Sequence, residues 1–162
     1  MSGFLLSLDA QFAGLHARSI ALVRAVPDER LYWQPRGPRA MTTAPPIFSC
    51  GEHLLRGAAA VEQTFGGINA SLWDDPFEWT LPEALPTPRL VEEYLGEAEA
   101  TRRRGFDSVG GDLELSKEIA VPAGGTRTLF DLMLETLARA SHHQGGAFAT
   151  FRLFSDARLP QI

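Results

Sequence analysis

Chemistry in this 162-residue chain is concentrated in the run Glu135-Thr-Leu-Ala-Arg139-Ala-Ser-His142-His143-Gln144, where two of its four histidines stand side by side. A neutral imidazole ligates metals and exchanges protons close to pH 7, so the pair suits either task. Around it Phe130, Met133, Leu137, Ala140, Ala147 and Phe151 recur at three- and four-residue steps, which predicts an amphipathic helix from near Thr126 to about Phe154. At about 100° per residue, His143 falls at the edge of the apolar sector and His142 well away from it. His143 is thus expected to look into a bundle, and His142 outward or across an interface. A third histidine, His53, follows Cys50 by three residues on one helix face, which could make a two-ligand fragment by spacing, although a buried free cysteine is usually just a small hydrophobe. His16, beside Leu15 in an apolar repeat, reads as structural or solvent-facing.

Four helices must position these groups. The first spans Phe4 to Val26, with Phe4, Leu5, Leu8, Phe12, Leu15, Ile20, Leu22 and Val23 in helical repeat, and Pro27 ends it. Residues 27 to 46 hold Pro27, Pro35, Pro38, Pro45 and Pro46, too many for a regular element, so a long loop follows with Tyr32 and Trp33 as anchors on the bundle. Ile47 to about Phe65 is the second helix, with Leu54, Ala58, Val61 and Phe65 inward and Gly66-Gly67 as its stop. A second loop, residues 68 to 88, carries Trp73, Phe77 and Trp79 among prolines, fit for a pocket mouth or for capping the end of the bundle. Thr87-Pro88 then opens a helix that runs to about Val109, closed by Gly110-Gly111. Its Arg102-Arg103-Arg104 run lies among glutamates and reads as a solvated face with intrahelical ion pairs. Leu113 to Val121 alternates apolar and polar residues, which predicts an extended segment before the last helix.

These elements give an all-α fold, a four-helix bundle with long Pro-rich connections, as a single domain over residues 1–162. Apolar residues at 44% and charged residues at 22% are ordinary for a globular protein. A net charge of -5 supplies no basic field for a phosphate backbone, so nucleic acid is not an expected partner. The lone Cys50 excludes an internal disulfide and fits a reducing compartment. The first residues lack a positive stretch and their apolar run is cut by Asp9, so neither a secretory leader nor a membrane span is expected, and a cytoplasmic protein is. Small residues Gly145, Gly146, Ala147 and Ala149 permit close approach of another helix, read as a homodimer contact or as a crossing within the bundle.

Over nearly its whole length the chain resembles the DinB/YfiT-like superfamily of four-helix-bundle proteins. The resemblance is carried by the first helix leading into Val26-Pro-Asp-Glu-Arg-Leu-Tyr-Trp33-Gln-Pro35, by Glu52-His53-Leu54-Leu55 and by His142-His143-Gln144-Gly145. The stretch Val121-Pro-Ala-Gly-Gly-Thr-Arg-Thr-Leu129 ahead of the last helix also fits. The resemblance implies a divalent metal, zinc or nickel, held by one histidine of the second helix and two of the fourth in His-x3-His spacing. By position His53 and His143 match two ligands, whereas the third place is Arg139, a protonated group with no lone pair to give. Glu135, Glu52 or His142 could complete such a site, or Arg139 could stand in place of the metal and face an anion.

Two functions follow as expectations. In one, the chain is a metal-dependent hydrolase or thiol transferase acting on a small molecule. His53 and His143 are then ligands, His142 orients a ligand or exchanges a proton, and Arg139 clamps a substrate carboxylate. In the other it is a metal-free, non-catalytic bundle, binding a small anion or acting as a dimeric stress-associated scaffold, with His53, Arg139 and His143 in a polar core network.

Overall fold

The computed structural model describes residues 3–35, 47–76 and 80–161; Pro38, Pro45, Pro46, Phe77 and Trp79 of the expected loops lie outside them. Within them the architecture is a four-helix bundle with one small two-stranded sheet: α1 Gly3–Ala25, α2 Cys50–Ala70, α3 Pro88–Ser108, β1 Glu118–Ala120, β2 Thr126–Thr128 and α4 Leu129–Arg152. α1 buries Leu5, Leu8, Phe12, Leu15, Ser19, Leu22 and Val23, one stripe at helical spacing. No helix among the described residues is long and apolar enough to cross a membrane.

α2 starts at Cys50 rather than Ile47, because Ser49 and Glu52 form a reciprocal cap. The Ser49 hydroxyl accepts from the Glu52 amide at 3.2 Å, and the Glu52 carboxylate accepts from the Ser49 amide at 2.7 Å. Nor does the helix stop at Gly66-Gly67. It runs on to Ala70, and the left-handed Ser71 at φ 56° closes it. Gly67 is small because Trp73 folds back onto it: a Cβ there would lie 2.3 Å from the indole. α3 opens as expected, with the Thr87 hydroxyl accepting from the Leu90 amide and proline in the first turn. The expected extended stretch is shorter than its alternation suggests. Asp112–Ser116 coils as a 3-10 turn that leaves Leu113 in solvent, and the strand is confined to Glu118–Ala120, antiparallel to β2 with Ile119 opposite Arg127.

α2 packs on both α3 and α4, and so does α1, so α1 and α2 sit diagonally across the bundle. The connections after α1 and α3 each lead to a helix that is not a neighbour. Tyr32 and Trp33 anchor the first: the Tyr32 hydroxyl donates to the Leu85 carbonyl at 2.5 Å, and Trp33 meets Phe154 edge-on at 5.5 Å.

The core is in two parts. One end gathers Leu22, Val23, Leu54, Leu55, Val91, Leu95 and Phe151, the other Leu5, Phe12, Val61, Phe65, Phe106 and Met133. Each such side chain, fully buried, stabilises the fold by about 1.5–3 kcal/mol. Between them lies a polar layer of Ser19, Glu99, Arg102 and Gln144, all buried. Arg102 therefore leaves the solvated face expected for its run: its guanidinium grips Glu99 through Nε at 2.7 Å and Nη2 at 2.8 Å, and also pairs with Asp9. The Gln144 amide donates to the Leu15 carbonyl and the Ser19 hydroxyl, and its oxygen accepts from Arg18. A cavity of about 30 Å³ runs along this layer, lined by His16 and Glu99 on one side and His53 on the other.

Candidate functional site: a histidine pair between α2 and α4

His53 and His143, ninety residues apart in sequence, meet where α2 crosses α4: their Nδ1 atoms lie 3.3 Å from one another. A glycine opposite the His53 ring makes the approach fit: a Cβ at Gly146 would lie 2.4 Å from His53 Cε1, whereas a Cβ at Gly57 would meet His143 Cβ and the Ala140 carbonyl only in ordinary contact at 3.6 Å. Gly146 and the buried Ala147, whose carbonyl accepts from the Cys50 thiol at 3.0 Å, thus serve the α2–α4 crossing, while Gly145 and Ala149 face solvent. Phe48 packs edge-on against His53 at 5.5 Å, and the Arg56 guanidinium lies over the Phe48 ring at 4.0 Å from its centre.

Both imidazoles are held neutral. Burial pushes the His143 pKa down to about 4, with His53, His142, Arg56 and Arg139 adding repulsion of a charged ring. Burial likewise lowers His53, helped by His142 and Arg56 and opposed by Glu52. Two neutral imidazoles in Nδ1-to-Nδ1 contact must be opposite tautomers, one donating its Nδ1–H to the lone pair of the other.

The remaining candidates fall around this pair. His142 is exposed with its ring centre 5.5 Å from that of His143, so the inward and outward orientations expected from helical projection are those observed. Arg139 is also exposed, one turn before His143 at the rim of the seam. Glu52 is engaged in the α2 cap and accepts from Gln34, and Glu135 pairs with Arg127, so neither carboxylate joins the histidines. Cys50 is buried and burial pushes its thiol up to about 12, which makes it an inert core residue. His16, half-buried next to the polar layer, is lowered chiefly by burial.

Among the described residues no group of three His, Cys, Asp or Glu is arranged to hold a metal ion. The pair itself suits one edge of a metal site, since two nitrogens bonded to a tetrahedral zinc at about 2.0–2.1 Å lie roughly 3.3–3.4 Å apart. Sequence reasoning placed Gly146 at a possible helix crossing without identifying His53 as what meets it, and missed Phe48 and Arg56, whose roles depend on what packs against them. Compared with known proteins, the chain matches no family model and no curated protein.

Proposed function

We propose that this chain is a small-molecule enzyme of the DinB/YfiT-like kind, a metal-dependent hydrolase or thiol transferase centred on the α2–α4 histidine pair. The observation that supports this is the 3.3 Å separation of two neutral Nδ1 atoms, which also suits two ligands of one divalent ion. His53 and His143 would hold zinc or nickel, with water or substrate in the remaining positions. Bound there, the ion would polarise an electrophile or lower the pKa of a water or thiol. His142, in solvent beside His143, exchanges a proton with the reacting group, and Arg139 orients an anionic substrate from the rim.

A second reading has its own support. The same 3.3 Å is also a hydrogen bond between complementary tautomers, and Arg56 and Arg139 set positive charge beside it. On this reading the bundle is metal-free and non-catalytic, a binder of small anions or a dimeric scaffold in which the imidazoles are a structural polar contact.

Metal analysis of protein purified without a histidine tag separates the two, together with zinc titration of the wild type and of His53→Ala. The enzyme reading expects one ion per chain, lost in the variant. Metal-free protein that takes up no zinc on titration, and whose stability falls in His53→Ala, would leave the second reading standing.

A further inference from the structure

One helical turn before His143, the α2–α4 seam opens into a groove of about 280 Å³, closed on its far side by the hairpin turn and by Trp73. Its walls differ in character. The indole is fixed against Gly67, where a Cβ would lie 2.3 Å from the ring, and the Trp73 carbonyl accepts from Gln63 at 3.1 Å. Val121, Pro122 and Leu132 add apolar surface. The Thr64 and Thr136 hydroxyls lining the groove bond one another at 2.7 Å, and Thr136 donates to the Leu132 carbonyl, so this part of the lining is satisfied internally.

The charges are not balanced in the same way. Arg127 and Glu135 neutralise each other as a pair. Arg139 forms no hydrogen bond or ion pair among the described residues, which leaves one guanidinium at a groove whose other polar side chains, Gln63, Thr64, Thr136, Arg127 and Glu135, are each engaged within the protein. A guanidinium takes a carboxylate as a two-pronged hydrogen-bonded pair, and a rigid indole offers a flat face to an unsaturated body.

We infer that this groove is a binding site for a small carboxylate with a flat apolar body, its anionic end on Arg139 and its body along Trp73. The Cβ atoms of residues one turn apart on a helix lie about 5–6 Å from each other, so Arg139 stands on the same side of α4 as His143 and next to it. That the bound acid is a substrate rests on the enzyme reading above. That it binds does not.

The test is an NMR titration of the full-length labelled protein with benzoate, its neutral isostere benzamide, and phenyl phosphate, followed at the Trp73 indole and Arg139 Nε signals. Benzoate should shift both saturably, benzamide neither, and Arg139→Gln should weaken benzoate at least about tenfold, the worth of one charge-assisted contact. The exposed position of Arg139 keeps that variant folded. Benzoate shifts that survive Arg139→Gln, that benzamide reproduces, or that do not saturate would overturn the proposal, and tighter binding of phenyl phosphate would overturn its carboxylate class. His53→Ala should bind benzoate unchanged. A protein that takes benzoate at Arg139 yet no metal at His53 would sink the enzyme reading and leave the groove.

Discussion

The ring of His53 rests on the backbone of Gly146, with its Cε1 2.4 Å and its Nε2 2.6 Å from where a β-carbon at that position would be. Substituting Gly146→Ala sets two effects in opposition. A mid-helix alanine gains about 1 kcal/mol in helix propensity. Against this, His53 cannot swing aside freely, since Phe48 flanks it and His143 holds its Nδ1. Overpacking of a tight contact costs about 1–3 kcal/mol, so the variant should be net destabilised and the Nδ1-to-Nδ1 contact broken. Gly145→Ala is the control: nothing lies within 4 Å of its Cβ, and it should gain up to about 1 kcal/mol. Urea denaturation reads the stabilities, and nitrogen-detected NMR of the imidazoles reads the contact. A stabilised Gly146→Ala protein with its histidine signals unmoved would mean the crossing is looser than this.

Protonation of the histidine pair should lower the stability of the fold. The His143 pKa is lowered to about 4 in the fold, below the roughly 6.5 of an unfolded histidine, and that of His53 is lowered in the same direction. Between those values the unfolded chain binds more protons than the folded one, so stability rises with pH there. It should be highest above about pH 6.5 and decline towards pH 4. Because both rings are only half-buried, solvent screening reduces the effect to the order of 1–2 kcal/mol. The carboxylates Glu52 and Glu99 are held below their usual range, so their contribution is lost at lower pH, as it falls through their folded pKa values. Stability measured from pH 7.5 to 4.5 in wild type and in His143→Asn isolates the histidine part, and a wild-type slope unchanged in the variant would show that the pair does not titrate with folding.

What the sequence could disclose is set by the range of the forces involved. The opposite orientations of His142 and His143 follow from helical period alone, a local property, and the structure has them so. That His53 and His143 meet is not local; the resemblance pointed to it, while spacing along either helix could not. The Ser49-x-x-Glu52 cap was written in adjacent residues and is what moves the α2 start from Ile47 to Cys50. Gly66-Gly67 misleads because a glycine pair signals both a helix stop and a close contact, and Trp73, several residues on, decides between them. Arg102 misleads for a like reason: a charge among charges reads as solvated until Asp9, 93 positions away, arrives to share it.

That buried cluster yields the last prediction. Arg102 is 3% exposed and Glu99 7%, and the two-pronged contact between them sits in the layer that divides the apolar core. Removing one member leaves the other with a single, more exposed partner: Glu99→Leu leaves the guanidinium with Asp9, and Arg102→Met leaves Glu99 with Arg103, so each single loss should fall at or below the low end of the about 3–5 kcal/mol that a fully broken buried pair costs. Removing both is a different matter, because the desolvation cost of the two ions disappears with them. The double variant Glu99→Leu, Arg102→Met should recover most of the loss, and Arg102→Met alone should resemble Glu99→Leu. Denaturant midpoints of the four proteins form a double-mutant cycle that gives the coupling directly. Additive losses, with the double variant worse than either single one, would mean that the layer contributes through packing rather than through its charges.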